Sequence, residues 1–254
     1  MIDIKLLKKF TVKPSRYDKR DFRFKKPRVP TRETMDLRKS DIIENPNYIG
    51  TSVGKVIADS YQMQLMYYYP DKYVDLSSLF IFYNARYLEG VSAQDYSISL
   101  RSGLRAVYYY GACDEKLWPY DLTKVDEKPS DAAYEDAKYR YITEYYSLYN
   151  INDAVDSISV NKPPVIGINI YEDFLGYNKD NYHVKHPKFG QLYYGLHTMV
   201  LVGYNIDEQY FIAKNVWGEE WGMVGYCHIP FDYYIKYVTE SWAFTISDQV
   251  SSLI

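Results

Sequence analysis

Three residues stand where their types and spacing could combine into nucleophilic chemistry. His197 opens the apolar run Leu196 to Tyr204, and Asn215 closes the run Tyr210 to Asn215, with the turn-like Asn205, Ile206 and Asp207 between them. A hairpin centred on Ile206 makes positions summing to 412 face each other, which sets His197 opposite Asn215. An asparagine amide oxygen beside an imidazole accepts the ring N–H, fixes the tautomer and leaves the other nitrogen as a base. The missing party is a nucleophile at a helix start, where backbone N–H groups favour an anion. Ser52, at the head of the first helical pattern, has that place. By residue type alone a strand histidine serves packing more often than catalysis.

Other chemistry-bearing residues point to blander roles. His183 and His186 lie in the loop NYHVKHPKFG without cysteines or carboxylates at metal spacing, so they are expected as solvated histidines and no metal is expected. Glu219 and Glu220 read as a solvated turn. Cys113 and Cys227 are too few for a disulfide framework and suit a reducing compartment. No phosphate-cradling glycine loop or dinucleotide fingerprint occurs, and no cofactor is expected.

The elements that must position these residues divide into two kinds. Val53, Val56, Ile57, Tyr61, Leu65 and Tyr68 recur at gaps of three or four, which predicts a helix that Pro70 stops. Asp75 or Ser77 caps a second helix carrying Leu79, Phe80, Tyr83 and Tyr87, closed by Gly90. A third helix runs from about Ser97 to Tyr109 and ends at Gly111, and a polar helical stretch covers Asp131 to Tyr141. Strands follow at Val165 to Tyr171, Leu196 to Tyr204, Tyr210 to Asn215 and Gly225 to Ile229. Helices first and strands second predict an α+β fold of two lobes with a cleft between.

Composition limits the partners. The chain has 254 residues, 47% hydrophobic and 25% charged, which excludes disordered and collagen-like classes. Its apolar runs fall far short of a membrane span, and the N-terminus lacks an apolar stretch followed by a small-residue cleavage site. No membrane partner is therefore expected, and the expected location is intracellular. Tyrosine is abundant at 31 residues, from which no function is drawn. Residues 1–38 carry thirteen Lys/Arg against five Asp/Glu, and the remainder carries seventeen against twenty-eight. Residues 1–35 thus read as a basic extended arm on an acidic body. Self-docking ranks first, attraction to another acidic surface second and nucleic acid last, since no reading motif accompanies the charge.

The run GLHTMVLVGYN…YFIAKNVWGEEWGMVGYCHIP resembles the His and Asn segments of papain-like cysteine peptidases. MDLRK at 35–39, LFIFYNARYLEG at 79–90, YGACDEKLWPY at 110–120 and PPVIGINIYEDF at 163–174 resemble the branch found in microbes and large DNA viruses. The resemblance implies a papain-like domain over 36–254, with a helical lobe at about 45–125 and a β-rich lobe at about 126–254. It gives His197 the general-base place, Asn215 the orienting place and Trp217 the place of a shield over their bond.

It also exposes departures. The family's nucleophile segment reads Gln-Gly-x-x-Gly-Ser-Cys-Thr-Ala, where this chain has Pro46, Asn47, Tyr48, Ile49, Gly50, Thr51, Ser52, Val53 and Gly54. Ser52 stands for the cysteine, and Pro46 for the glutamine whose amide donates to the oxyanion. A one-residue slip would bring Asn47 to that place without restoring a thiol. A thiol starts near pKa 8.5 and is lowered beside an imidazolium, whereas an alcohol cannot inherit that ion pair. Losing one oxyanion donor costs about 10²–10³ in kcat. The resemblance therefore implies a peptidase homologue without peptidase chemistry, either a binding protein with a protein partner or peptide segment in the cleft or a structural component, with capsid or other virion proteins among the expected partners and the virion beside the cytoplasm as its expected location. The alternative is a hydrolase that uses Ser52 with His197 and Asn215.

Overall fold

The computed structural model describes residues 12–19, 21–25, 32–40, 51–90 and 97–252. The first helix, α1 (Ser52–Tyr68), is unlike an ordinary amphipathic helix because every residue from Ser52 to Leu65 is buried. Two glycines allow its neighbours to close on it. A Cβ on Gly54 would lie 2.3 Å from the Ser78 carbonyl oxygen at the start of α2 (Ser78–Glu89). A Cβ on Gly103, in α3 (Leu100–Tyr110), would lie 2.4 Å from Ile57 Cδ1. Ser77 caps α2 by accepting from Phe80 N–H at 3.1 Å, and Gly90 ends it at φ 64°, a conformation glycine adopts without steric cost.

Burial on all sides forces the polar groups of α1 to find partners inside. Ser60 Oγ donates to the Pro163 carbonyl at 2.6 Å, and Gln62 Nε2 donates to Tyr73 Oη at 2.9 Å. Both polar atoms of Gln64 are buried without a hydrogen bond.

The second half supplies most of a sheet whose strand order is β1 (Phe22–Arg23), β3 (Ile142–Ser147), β8 (Val238–Ile246), β4 (Val165–Tyr171), β5 (Tyr193–Asn205), β6 (Tyr210–Lys214), β7 (Tyr226–Pro230). The additional strand β2 (Thr34–Asp36) pairs with the far end of β5, and α1 packs against β5. Three short helices, α4 (Asp131–Ala137), α5 (Ile151–Ser159) and α6 (Phe231–Tyr237), complete the elements. No helix among the described residues is long and apolar enough to cross a membrane.

The β5–β6 register corrects the hairpin expected from sequence. Asn205 pairs with Tyr210 and Tyr204 with Phe211, then a bulge shifts the ladder so that Val200 opposes Lys214. The turn therefore lies between Ile206 and Gln209, and His197 does not face Asn215 across a ladder. Its strand partner is Ile168 on β4.

The described parts of the segment read as an arm, residues 12–19, 21–25 and 32–35, contribute β1 and most of β2 and lie on the body. Val12 forms a parallel bridge with Ile98, Lys13 pairs with Glu89, and Asp21 pairs with Arg101. Ser15 N–H donates to Glu240 Oε1 at 3.2 Å. At β2 the chains approach so closely that a Cβ on Gly203 would lie 2.5 Å from the Met35 carbonyl oxygen.

Candidate active site

His197 sits in the buried middle of β5, and Asn215 lies just past the end of β6. Although they are not cross-strand partners, His197 Nε2 and Asn215 Oδ1 are 2.8 Å apart. The amide's orientation is fixed independently, because Asn215 Oδ1 also accepts from Val216 N–H at 2.8 Å. An oxygen there can only accept, so the imidazole carries its proton on Nε2 and keeps the Nδ1 lone pair free. Asn215 Nδ2 is buried without a hydrogen-bond partner.

An aromatic wall covers this bond. The Trp217 ring lies 4.6 Å from the imidazole centroid at 36°, Phe174 lies 6.3 Å away, and Trp221 packs on Phe174 at 4.9 Å. Trp221 is held by donating Nε1–H to the Phe174 carbonyl at 2.9 Å. In this dry setting burial outweighs the bond to Asn215 and pulls the His197 pKa down to about 4. The ring is neutral at neutral pH.

Ser52 is the first residue of α1 and is buried. The preceding Thr51 does not cap the helix through its side chain, because its hydroxyl donates to Tyr120 Oη at 3.1 Å. The helix-terminal field therefore acts at Ser52 without a side-chain cap to offset it. Among the described residues Ser52 Oγ makes no hydrogen bond to His197. Pro46 and Asn47 lie outside the described residues.

These elements can be placed among known proteins. The family description "Papain family cysteine protease" matches residues 99–244, more than half of the chain, including His197 and Asn215. The chain belongs to the papain family. An uncharacterized peptidase C1-like protein of Acanthamoeba polyphaga mimivirus is 34% identical over 167 residues, which cover 62% of this chain and 54% of that protein. Cathepsin C of Schistosoma mansoni is 32% identical over 132 residues, covering 47% of this chain and 29% of that protein. The chain thus spans about half or less of these curated relatives. Xylellain, a cysteine protease from Xylella fastidiosa, superposes with a TM-score of 0.82 at 26% identity, over 93% of this chain and 96% of that one. A procathepsin B of Trypanosoma congolense superposes with a TM-score of 0.72 at 16% identity, over 97% of this chain and 89% of that one, a likeness of fold alone. The α+β papain-like architecture expected from sequence is the one present.

For a papain-family chain the whereabouts of its thiols matter most. Cys113 follows α3 and Cys227 lies in β7, and both are fully buried. Burial, reinforced at Cys113 by Asp136 and Glu115, pushes each thiol well above its usual range, so both stay protonated. Neither is placed at the head of α1.

The remaining candidates separate cleanly. His186 Nε2 lies 2.8 Å from Asp232 Oδ2, and His183 is exposed beside His228. Among the described residues no three His, Cys, Asp or Glu side chains gather as a metal set. Glu219 and Glu220 are exposed in a turn.

Sequence reasoning missed a buried ionic cluster that links the site's two halves. Lys55, one turn beyond Ser52, places Nζ 2.7 Å from Asp59 Oδ1, and Lys214, next to Asn215, places Nζ 3.5 Å from the same oxygen. All three residues are buried. The four-residue spacing of Lys55 and Asp59 was the available signal. It was hidden because that helix face reads as solvated until its burial is known.

Proposed function

We propose that this papain-family chain is a peptidase homologue that has lost peptidase chemistry and acts by binding a protein partner or peptide segment. The observation that carries the reading is the mismatch at the site. A neutral, aromatic-shielded His197–Asn215 pair is present, while the head of the neighbouring buried helix bears a serine and both thiols lie elsewhere. We take Ser52 as the counterpart of the family's cysteine and Pro46 as the counterpart of its oxyanion-donating glutamine. An alcohol of ordinary acidity does not form a resting ion pair with an imidazole of pKa about 4. Proline has no side-chain or backbone donor to replace the lost amide. The likeness to a mimivirus protein supports a role in a large DNA virus, and virion proteins are the partners we propose on that reading.

The test is turnover of fluorogenic peptide pools by the purified protein. We expect no cleavage above background, and none after Ser52→Cys, because Pro46 and Val53 remain. Cleavage abolished by His197→Ala would overturn the proposal.

A second reading rests on the free Nδ1 lone pair of His197, which can accept a proton during attack, as a weak base given its lowered pKa. On that reading Ser52 is the nucleophile of a slow hydrolase. Covalent labelling of Ser52 by a fluorophosphonate would establish it.

A further inference from the structure

Helices α2, α3 and α4 converge on four tyrosines. Tyr83 and Tyr87 stand four residues apart on α2, Tyr110 is the last residue of α3, and Tyr134 lies in α4. They line a cavity of about 620 Å³ together with Asn84, Lys128, Asp131 and Glu135.

The rings meet as walls, not as a stack. Tyr87 and Tyr110 lie 6.4 Å apart at 76°, and Tyr110 and Tyr134 lie 6.2 Å apart at 69°. The Tyr134 ring is fixed at both ends. Its edge packs on Phe80 at 4.9 Å, and its hydroxyl donates to Asn84 Oδ1 at 2.9 Å. Asn84 is itself buried and anchored, donating Nδ2–H to the Phe80 carbonyl at 2.9 Å. The Tyr134 hydroxyl is thus held in place. Two carboxylates, Asp131 and Glu135, stand at the exposed rim, the latter paired with Lys138 at 2.5 Å.

A cation already tests the enclosure. Lys128 Nζ lies 5.7 Å from the Tyr134 ring centroid, within cation–π range. The ring faces offer negative quadrupole potential. The side-chain oxygen of Asn84, the buried amide of the lining, is already engaged by Tyr134. The carboxylate acceptors of the lining, Asp131 and Glu135, stand at the exposed rim, so the five N–H donors of a guanidinium or the three of an ammonium are matched there and not against the ring faces. A quaternary ammonium brings none and matches aromatic walls set at large angles.

We propose that the Tyr83–Tyr87–Tyr110–Tyr134 cavity binds a small quaternary ammonium ion, which takes the place of the Lys128 ammonium. The site is separate from His197, and its occupancy is independent of whether Ser52 reacts.

Choline is the probe, and 3,3-dimethylbutanol, its uncharged isostere, is the control. Titration followed by tyrosine ring resonances should show saturable choline binding centred on Tyr110 and Tyr134. The neutral isostere should bind about tenfold more weakly, the margin expected of a partly desolvated cation–π site. Tyr134→Leu should abolish binding. Tyr87→Leu, at an exposed position that folding tolerates, should weaken it severalfold. Lys128→Gln should tighten it by removing the internal competitor. Absence of saturable binding, equal binding of the uncharged isostere, or indifference to Tyr87→Leu would each overturn the proposal.

Discussion

Acidification should expose the buried imidazole of His197 as a measurable loss of stability. The side chain is buried, and its pKa falls from an unfolded value of 6.5 to about 4 in the native state. Between those values the unfolded chain binds the proton and the native state does not, so stability falls as pH falls. The contribution is fully present above pH 6.5 and lost progressively toward pH 4. At 1.36 kcal/mol per pKa unit the whole effect is about 3 kcal/mol, of which about 2 kcal/mol is gone by pH 5. His228, also drawn down to about 4 by burial and by His183 and Arg38, titrates in the same direction. The comparison with His197→Gln therefore isolates the contribution. Urea denaturation of wild type and variant at a series of pH values should give curves that converge by about 2 kcal/mol between pH 7 and pH 5. Parallel curves, or an imidazole of normal pKa by NMR, would refute the assignment of a buried neutral base.

Other perturbations have separate expected outcomes. Asn215→Ala removes the acceptor of the His197 N–H inside the aromatic wall and should cost about 1–3 kcal/mol in urea denaturation. Gly103→Ala drives a methyl group to 2.4 Å from Ile57 Cδ1 and should cost about 1–3 kcal/mol, partly recovered when combined with Ile57→Val. Calorimetry of wild type, the two single variants and the double variant checks that coupling. Asp59→Asn removes the carboxylate shared by Lys55 and Lys214 and should cost about 3–5 kcal/mol by denaturant midpoint, whereas an exposed control such as Glu135→Gln should change little.

The helices before residue 111 were legible because their punctuation is local. Ser77 caps, Gly90 ends in the left-handed region, and Gly111 closes α3 at φ 74°. The strands β4 to β7 were legible from their β-branched and apolar runs. β3 and β8 were not, since ITEYYS and VTESWAFTI mix charge with tyrosine and tryptophan and their pairing partners lie about a hundred residues away. Helices α5 and α6 were passed over because each is short and depends on packing. The His197–Asn215 contact was readable in residue type and misread in geometry. A four-residue turn and a bulge moved the ladder, so the His197–Asn215 contact is made from the end of β6 and not across paired strands. The burial of Lys55 and Asp59 could not be seen in spacing alone, because helix periodicity shows which residues share a face and not what covers it.

The docking of β2 has a practical consequence. Residues 33–37 hydrogen-bond to β5 and the turn after it, with Leu37 N–H donating to the Val202 carbonyl and Ile206 N–H to the Glu33 carbonyl, at 2.8 and 2.9 Å. The leading polypeptide is thereby a stave of the molecule. Deleting residues 33–37 would strip that end of β5 of its partner and leave the backbone of residues 203–206 as an open sheet edge, a template for pairing with a second molecule.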